Sequence, residues 1–183
     1  MAIAAGSNIP LGPLTYEDVQ RFPDDGLRYE LVDGELLVTP APNTLHQRIV
    51  VNLVLLLHGV IDAGLEVLPA PVDWYIDQHT YFEPDVLVVR RSDESERRLE
   101  GTPVLAVEIL SPTTRRRDLG LKKRAYEDAG LPWYWVVDPE APSVSAFRLA
   151  DGRYREEATV AGDEVYETHD PFAVRVVPSD LVL

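Results

Sequence analysis

The sequence contains no cysteine. That absence excludes disulfides, thiolate metal sites and cysteine nucleophiles together, and it suits a reducing compartment. Long apolar runs are also missing. The longest aliphatic stretch, Leu53 to Leu57, falls far short of the ~20 residues needed to span a bilayer, so no membrane partner is expected. The opening MAIAAGSNIP has neither the basic nor the apolar region of a secretory signal, and a cytoplasmic location is expected. Positive charge is scarce: 17 Lys and Arg face 31 Asp and Glu, for a formal net charge of −14. Such a surface repels nucleic acid as a whole. No phosphate-binding P-loop or dinucleotide GxGxxG is present, and no organic cofactor is expected. Ser111 lacks a GxSxG setting. His58 lies among leucines and has no assigned role, and His79 and His169 are too scattered to form a zinc-ligand spacing.

At 183 residues the length suits one domain with a real core. Residues 1–13, with Gly6, Pro10, Gly12 and Pro13, read as a flexible arm before a single domain over 14–183. Thr15 to Phe22 reads as a short helix, with Thr15 and Asp18 approximating a capping box. Arg28 to Val32 and Glu35 to Thr39 flank Asp33-Gly34, a strong hairpin signal. Glu30 shares a face with Val32; an inward acid and an ordinary surface glutamate are both open readings. A core helix is predicted over 43–63, capped by Asn43. Val54 and Leu55 widen its apolar stripe, as cover on a second side by a subunit contact would. His46 lies in its first turn on the inward side. It could bond a carboxylate or a phosphate, or be a plain polar rim residue.

Strands are predicted at 65–68, 72–76 and 83–89, with a turn at 77–81. A charged surface loop at 90–101 leads to a buried strand at 104–110. A helix over 115–129 and a strand at 133–138 follow, as expected for a parallel unit with a crossover helix. Asp151-Gly152 joins a second hairpin, 143–149 with 153–158, before short strands near 163–167 and 173–177. The set is α/β, with a mixed sheet, flanking helices and added β-hairpins.

The stretch Pro103 to Tyr126 organises the rest. Glu108 interrupts an otherwise apolar strand, and buried carboxylates are costly unless paired. On a helical wheel with Asp118 as origin, Leu121, Ala125, Ala129, Tyr126 and Leu119 span one apolar arc. Lys122 falls inside it at about 40° and should face the sheet. A catalytic pair and a buried ion pair are the two readings. Asp85 opens one buried strand and Glu108 nearly closes the next, so antiparallel pairing would bring both to one end of the sheet. Arg115 to Arg124 forms a local basic run beside that end.

Two carboxylates and a lysine suit metal-assisted phosphodiester hydrolysis. Asp85, Glu108 and the Ile109 carbonyl are the expected ligands of Mg²⁺ or Mn²⁺. Lys122 would orient water or stabilise developing charge, and Glu30 could add a carboxylate.

Several motifs together resemble one family. They are Tyr29-Glu30-Leu31-Val32-Asp33-Gly34-Glu35, then His46, Pro84-Asp85-Val86 and Val107-Glu108-Ile109-Leu110-Ser111-Pro112. Asp118 with Lys122 and Tyr126, Ala129-Gly130 and Tyr134-Trp135-Val136-Val137-Asp138-Pro139 complete the set. The chain resembles the Uma2-like (DUF820) restriction-endonuclease-like family of the PD-(D/E)XK nuclease superfamily. The resemblance runs from about Thr15 to Tyr154. In the wider superfamily a lysine follows the acid by two positions, where Leu110 stands here; Lys122 looks like its migrated counterpart. The resemblance implies a restriction-endonuclease-like core and metal-dependent DNA cleavage. Asp118, Tyr126 and His46 are accessory site residues on this view. DNA is the expected partner, and a homodimer is predicted because two-fold symmetry supplies one site per strand. The alternatives are a nucleic-acid-binding or regulatory protein retaining the core, and an interaction domain with a buried ion network.

Overall fold

The computed structural model describes residues 12–93, 95 and 97–183; the expected arm over 1–11 lies outside the described residues. Helix α1 (Tyr16–Val19) carries the capping box, with Thr15 and Asp18 bonding each other's backbone N–H. Strands β1 (Arg28–Val32) and β2 (Glu35–Thr39) pair antiparallel around Asp33 and Gly34, whose φ values are 52° and 79°. Two successive positive φ angles match the right-handed twist of a hairpin. Helix α2 (Thr44–His58) is capped by the Asn43 side chain. It stops at Gly59 instead of running to 63, so Val60 and Ile61 lie beyond its end.

Strands β3 (Leu65–Pro69), β4 (Trp74–Asp77), β5 (Thr80–Phe82) and β6 (Val86–Arg90) follow. The predicted turn at 77–81 narrows to Gln78 and His79: Asp77 ends β4, and Thr80 and Tyr81 belong to β5, whose three residues are all buried. Strand β7 (Leu105–Ile109) leads into α3 (Arg115–Arg117), a π-helical segment (Asp118–Lys122) and α4 (Lys123–Asp128). Strands β8 (Trp133–Asp138), β9 (Ser143–Ala150), β10 (Arg153–Ala161), β11 (Tyr166–Thr168) and β12 (Val174–Val176) precede α5 (Pro178–Val182). The sequence pattern did not foretell α5; Pro178 opens it at the first helical turn, where a missing N–H costs nothing.

The main sheet runs β10-β9-β8-β7-β6-β3, and a smaller one runs β2-β1-β5-β4. All pairs in the main sheet are antiparallel except β7 with β8, which the helical crossover makes parallel. The expected mixed α+β class, with flanking helices and added hairpins, is the one observed. Val86, Val88, Leu105 and Val107 join the α2 core with Leu53 and Leu57. Each such buried side chain contributes roughly 1.5–3 kcal/mol. The alternate residues, Leu87, Val89, Ala106 and Leu110, pack on the other face with Trp74, Phe82, Tyr126 and Tyr134. Period-2 alternation therefore puts Glu108 on the face that meets the crossover helix.

The wheel overestimated the inward arc of that helix. Leu119 and Leu121, at its edges, are 42 % and 39 % exposed, while Asp118, Lys122 and Tyr126 are buried. The π turn is wider than an α turn, so residues four apart come closer to eclipsing. Among the described residues no helix is long and apolar enough to cross a membrane.

The two Asp-Gly hairpin turns give a stability test. Both glycines have positive φ, but a Cβ on Gly34 would clash with Pro13 Cβ, whereas one on Gly152 meets nothing within 4 Å. Gly152→Ala should cost only the backbone strain, on the order of 1 kcal/mol. Gly34→Ala should cost distinctly more, read as a larger drop in urea midpoint. Equal losses would show that the Pro13 contact contributes no stability.

Candidate active site

The β6–β7 register pairs Val86 with Val107 and so carries Asp85 opposite Glu108. Asp85 stands one residue before its strand and Glu108 one residue before the end of its own. Both are almost fully buried. The Ile109 N–H donates to Asp85 Oδ2 at 2.8 Å. In extended backbone a residue's N–H and C=O face the same side, so the Ile109 carbonyl turns toward Asp85 as well. Arg28 Nη1 donates to Asp85 Oδ1 at 2.8 Å, and His46 Nε2 lies 3.1 Å from Oδ2.

Lys122 is 1 % exposed. Its Nζ lies 2.8 Å from both Glu30 Oε1 and Glu108 Oε1. Glu30 Oε1 also accepts the Glu83 N–H, and Glu108 Oε1 accepts the Tyr126 hydroxyl at 2.6 Å. Asp118, two-hundredths exposed, keeps Oδ1 without a hydrogen-bond partner. The Arg117 guanidinium Nε is 3.9 Å away. Helix geometry places Asp118, Lys122 and Tyr126 in one column, while β1 supplies Glu30 from the opposite side.

Acids outnumber cations in this cluster. Burial pushes the Glu108 carboxyl up to about 8, with Asp85, Asp118 and Glu30 adding to the rise against the Lys122 ammonium. Burial alone would lower Lys122, but Glu108, Glu30 and Asp118 hold its ammonium well above the usual lysine range. Burial together with the neighbouring acids raises Glu108, and the neighbouring acids alone raise Lys122. Burial likewise raises Asp118. Asp85 goes the other way: burial opposes ionisation, but the His46 hydrogen bond and Arg28 prevail and hold it below the usual carboxylate range.

A cavity of about 440 Å³ is lined by Asp85, Glu108, Ile109, Asp118, Lys122 and His46. Glu30 and Tyr126 are not among its lining residues; they sit behind Lys122 and Glu108. Glu30 therefore does not reach the cavity, because Lys122 stands between them. Among the described residues no group of three or more His, Asp or Glu side chains is arranged as a metal cage. Donors that could hold a hard cation are the Asp85 and Glu108 carboxylates and the Ile109 carbonyl. Their oxygen chemistry and the local excess of negative charge fit a divalent ion.

Three lining or bracing residues escaped the sequence reading. Arg28 precedes Glu30 by two and Glu83 precedes Asp85 by two. Strand periodicity puts each on the same face as its acid, and that signal was available. Burial raises Glu83 to about 7. Arg117 was read only as part of a basic run; its Nη2 donates to Thr39 Oγ1 across the cavity mouth. No such signal exists for Thr39.

The architecture is similar to that of a putative nuclease belonging to DUF820 from Anabaena variabilis ATCC 29413, a crystal structure. The TM-score is 0.72 at 19 % identity, over 93 % of this chain and 98 % of that one. At that identity the likeness speaks for the fold. No curated protein matches the chain. The profile of the Uma2 family, described as "Putative restriction endonuclease", matches residues 16–177, most of the sequence, and the chain belongs to that family.

Proposed function

We propose that the chain is a metal-dependent endonuclease that hydrolyses DNA phosphodiester bonds. Family and fold point to a restriction-endonuclease-like nuclease. The observation that carries the finer reading is the placement of Asp85 opposite Glu108, with Lys122 on the same cavity. Asp85, Glu108 and the Ile109 carbonyl would hold Mg²⁺ or Mn²⁺. When bound, the ion would polarise the scissile phosphate and ease ionisation of the attacking water. His46 and Arg28 hold Asp85 in place. Tyr126 orients Glu108, and Glu30 fixes the Lys122 ammonium where charge develops in the transition state. Asp118 offers a free carboxylate oxygen to water.

A non-catalytic reading is favoured by one observation, that Lys122 is already bonded by two glutamates. Metal and turnover separate the two. Wild type should bind Mn²⁺ by calorimetry and cleave DNA with Mg²⁺ or Mn²⁺. Glu108→Gln keeps an oxygen for Tyr126 and Lys122, so it should remain folded while turnover falls about 10²-fold or more. Wild type that neither binds Mn²⁺ nor cuts DNA would leave the ion network as the better account.

Lys122→Met removes the ammonium from two buried carboxylates. It should melt early, by about 3–5 kcal/mol of lost stability, and Glu30→Gln in the same chain should recover part of that loss. A Lys122→Met protein as stable as wild type would mean the three groups are not coupled.

A homodimer is part of the proposal. On α2, Val51 and Leu55 are 54 % and 68 % exposed, although both are aliphatic. Cover by a second copy would account for them. Light scattering should give a dimer mass for wild type and a monomer mass for Leu55→Glu. A monomeric wild type at micromolar protein would remove this part.

A further inference from the structure

A second cavity, about 270 Å³, adjoins the first. The two share Arg28, Pro40, Ala41, Pro42, His46 and Asp85 as lining. The Asp85 carboxylate thus has space on two sides, one toward Ser111–Thr114 and one toward Gln47 and Pro71. Besides the buried Lys122, the lysines and arginines lining these spaces are Arg28 and Arg117.

We infer that the site takes one unpaired DNA strand, passing on both sides of Asp85, in preference to a duplex. This deepens the nuclease reading above and rests on it for the identity of the ligand. Charge is the first argument. Duplex binding driven by the backbone draws on many phosphate contacts, on the order of 6–10. Arg117, and Arg28 already bonded to Asp85, can serve about two phosphates at most, and the chain as a whole carries a formal net charge of −14 that repels a long duplex.

Of the basic run on the crossover helix only Arg117 and the buried Lys122 line either space; Arg116 and Arg124 are exposed but line neither. Arg115 is turned to Asp138 and Glu140, and Lys123 lies over the Phe147 ring. The lining supplies the second argument. Pro40 and Pro42 line both spaces, Pro112 the first and Pro71 the second, and these exposed prolines present apolar surface. An unpaired strand has base faces to bury there, whereas a duplex keeps its base faces inside the stack.

The test reads binding apart from cleavage. A fluorescein-labelled oligothymidine and a hairpin duplex of equal nucleotide count are titrated in EDTA by anisotropy. The single strand should bind about tenfold tighter or more. Gln47 and Thr113 are exposed and lie one in each space. Gln47→Glu and Thr113→Glu should each weaken single-strand binding roughly fivefold, the effect of one like charge a few ångström from a phosphate in water. Gln78→Glu, exposed on the β4–β5 turn, is the charge-matched control and should leave binding unchanged.

Equal or tighter binding of the duplex overturns the inference. So does binding of neither ligand, an effect confined to one of the two site variants, or an equal effect in the control. With Mg²⁺ or Mn²⁺ added, a closed single-stranded circle should be cut, since a strand held on both sides needs no free end. Selective binding of the single strand without cutting would instead sink the nuclease reading and leave the ligand assignment in place.

Discussion

A lysine ammonium held between two buried glutamates is the constraint on which the site depends. Lys122 comes from the crossover helix, Glu30 from the first hairpin and Glu108 from the central parallel strand. None of the three can be left alone in an apolar interior without a large penalty. Satisfying them together requires the small sheet, the main sheet and the helix to meet at one point. The aromatic packing of Trp74, Phe82 and Tyr134 around Tyr126 then closes the same junction from the apolar side. The Tyr126 hydroxyl, which burial would otherwise leave unpaired, is used to hold Glu108.

The site is organised in two depths. Glu30 and Tyr126 hold Lys122 and Glu108 from behind, while Asp85, Glu108, Asp118 and Lys122 reach the cavity. Chemistry at the mouth therefore relies on groups whose positions are set from behind. The π segment belongs to this arrangement. Its wide turn keeps Asp118 and Lys122 on one face, and extra-wide turns of this kind recur at functional sites. Asp85 is treated differently from Glu108, although they stand opposite each other. Arg28, His46 and the Ile109 N–H stabilise its ionised form, whereas Glu108 shares one ammonium with Glu30 among further acids.

Net charge misleads about local chemistry in both directions. A basic run in the sequence suggests a single positive patch, but the helix distributes it. Arg115 pairs with acids after β8, Arg117 turns to Thr39, and Lys123 covers an aromatic ring. The arginine bonded to Asp85 at the cavity is instead Arg28, which sits far away in sequence.

Local patterns alone determined much of this protein. Both Asp-Gly hairpins, the capped starts of α1 and α2, and the acids at the ends of two buried strands were legible because each depends on neighbours a few residues apart. The inward lysine was legible for the same reason, as a polar residue on an apolar helical face. The tertiary structure decided what periodicity cannot encode. It set the end of α2 at Gly59, made β5 a buried strand where its sequence reads as a turn, and widened the helix at Asp118. It also sorted the acids into those that reach the cavity and those that stand behind Lys122. That sorting depends on which sheet a strand joins and on how far one side chain extends past another, and both are long-range packing outcomes to which residue order along the chain contributes no distance.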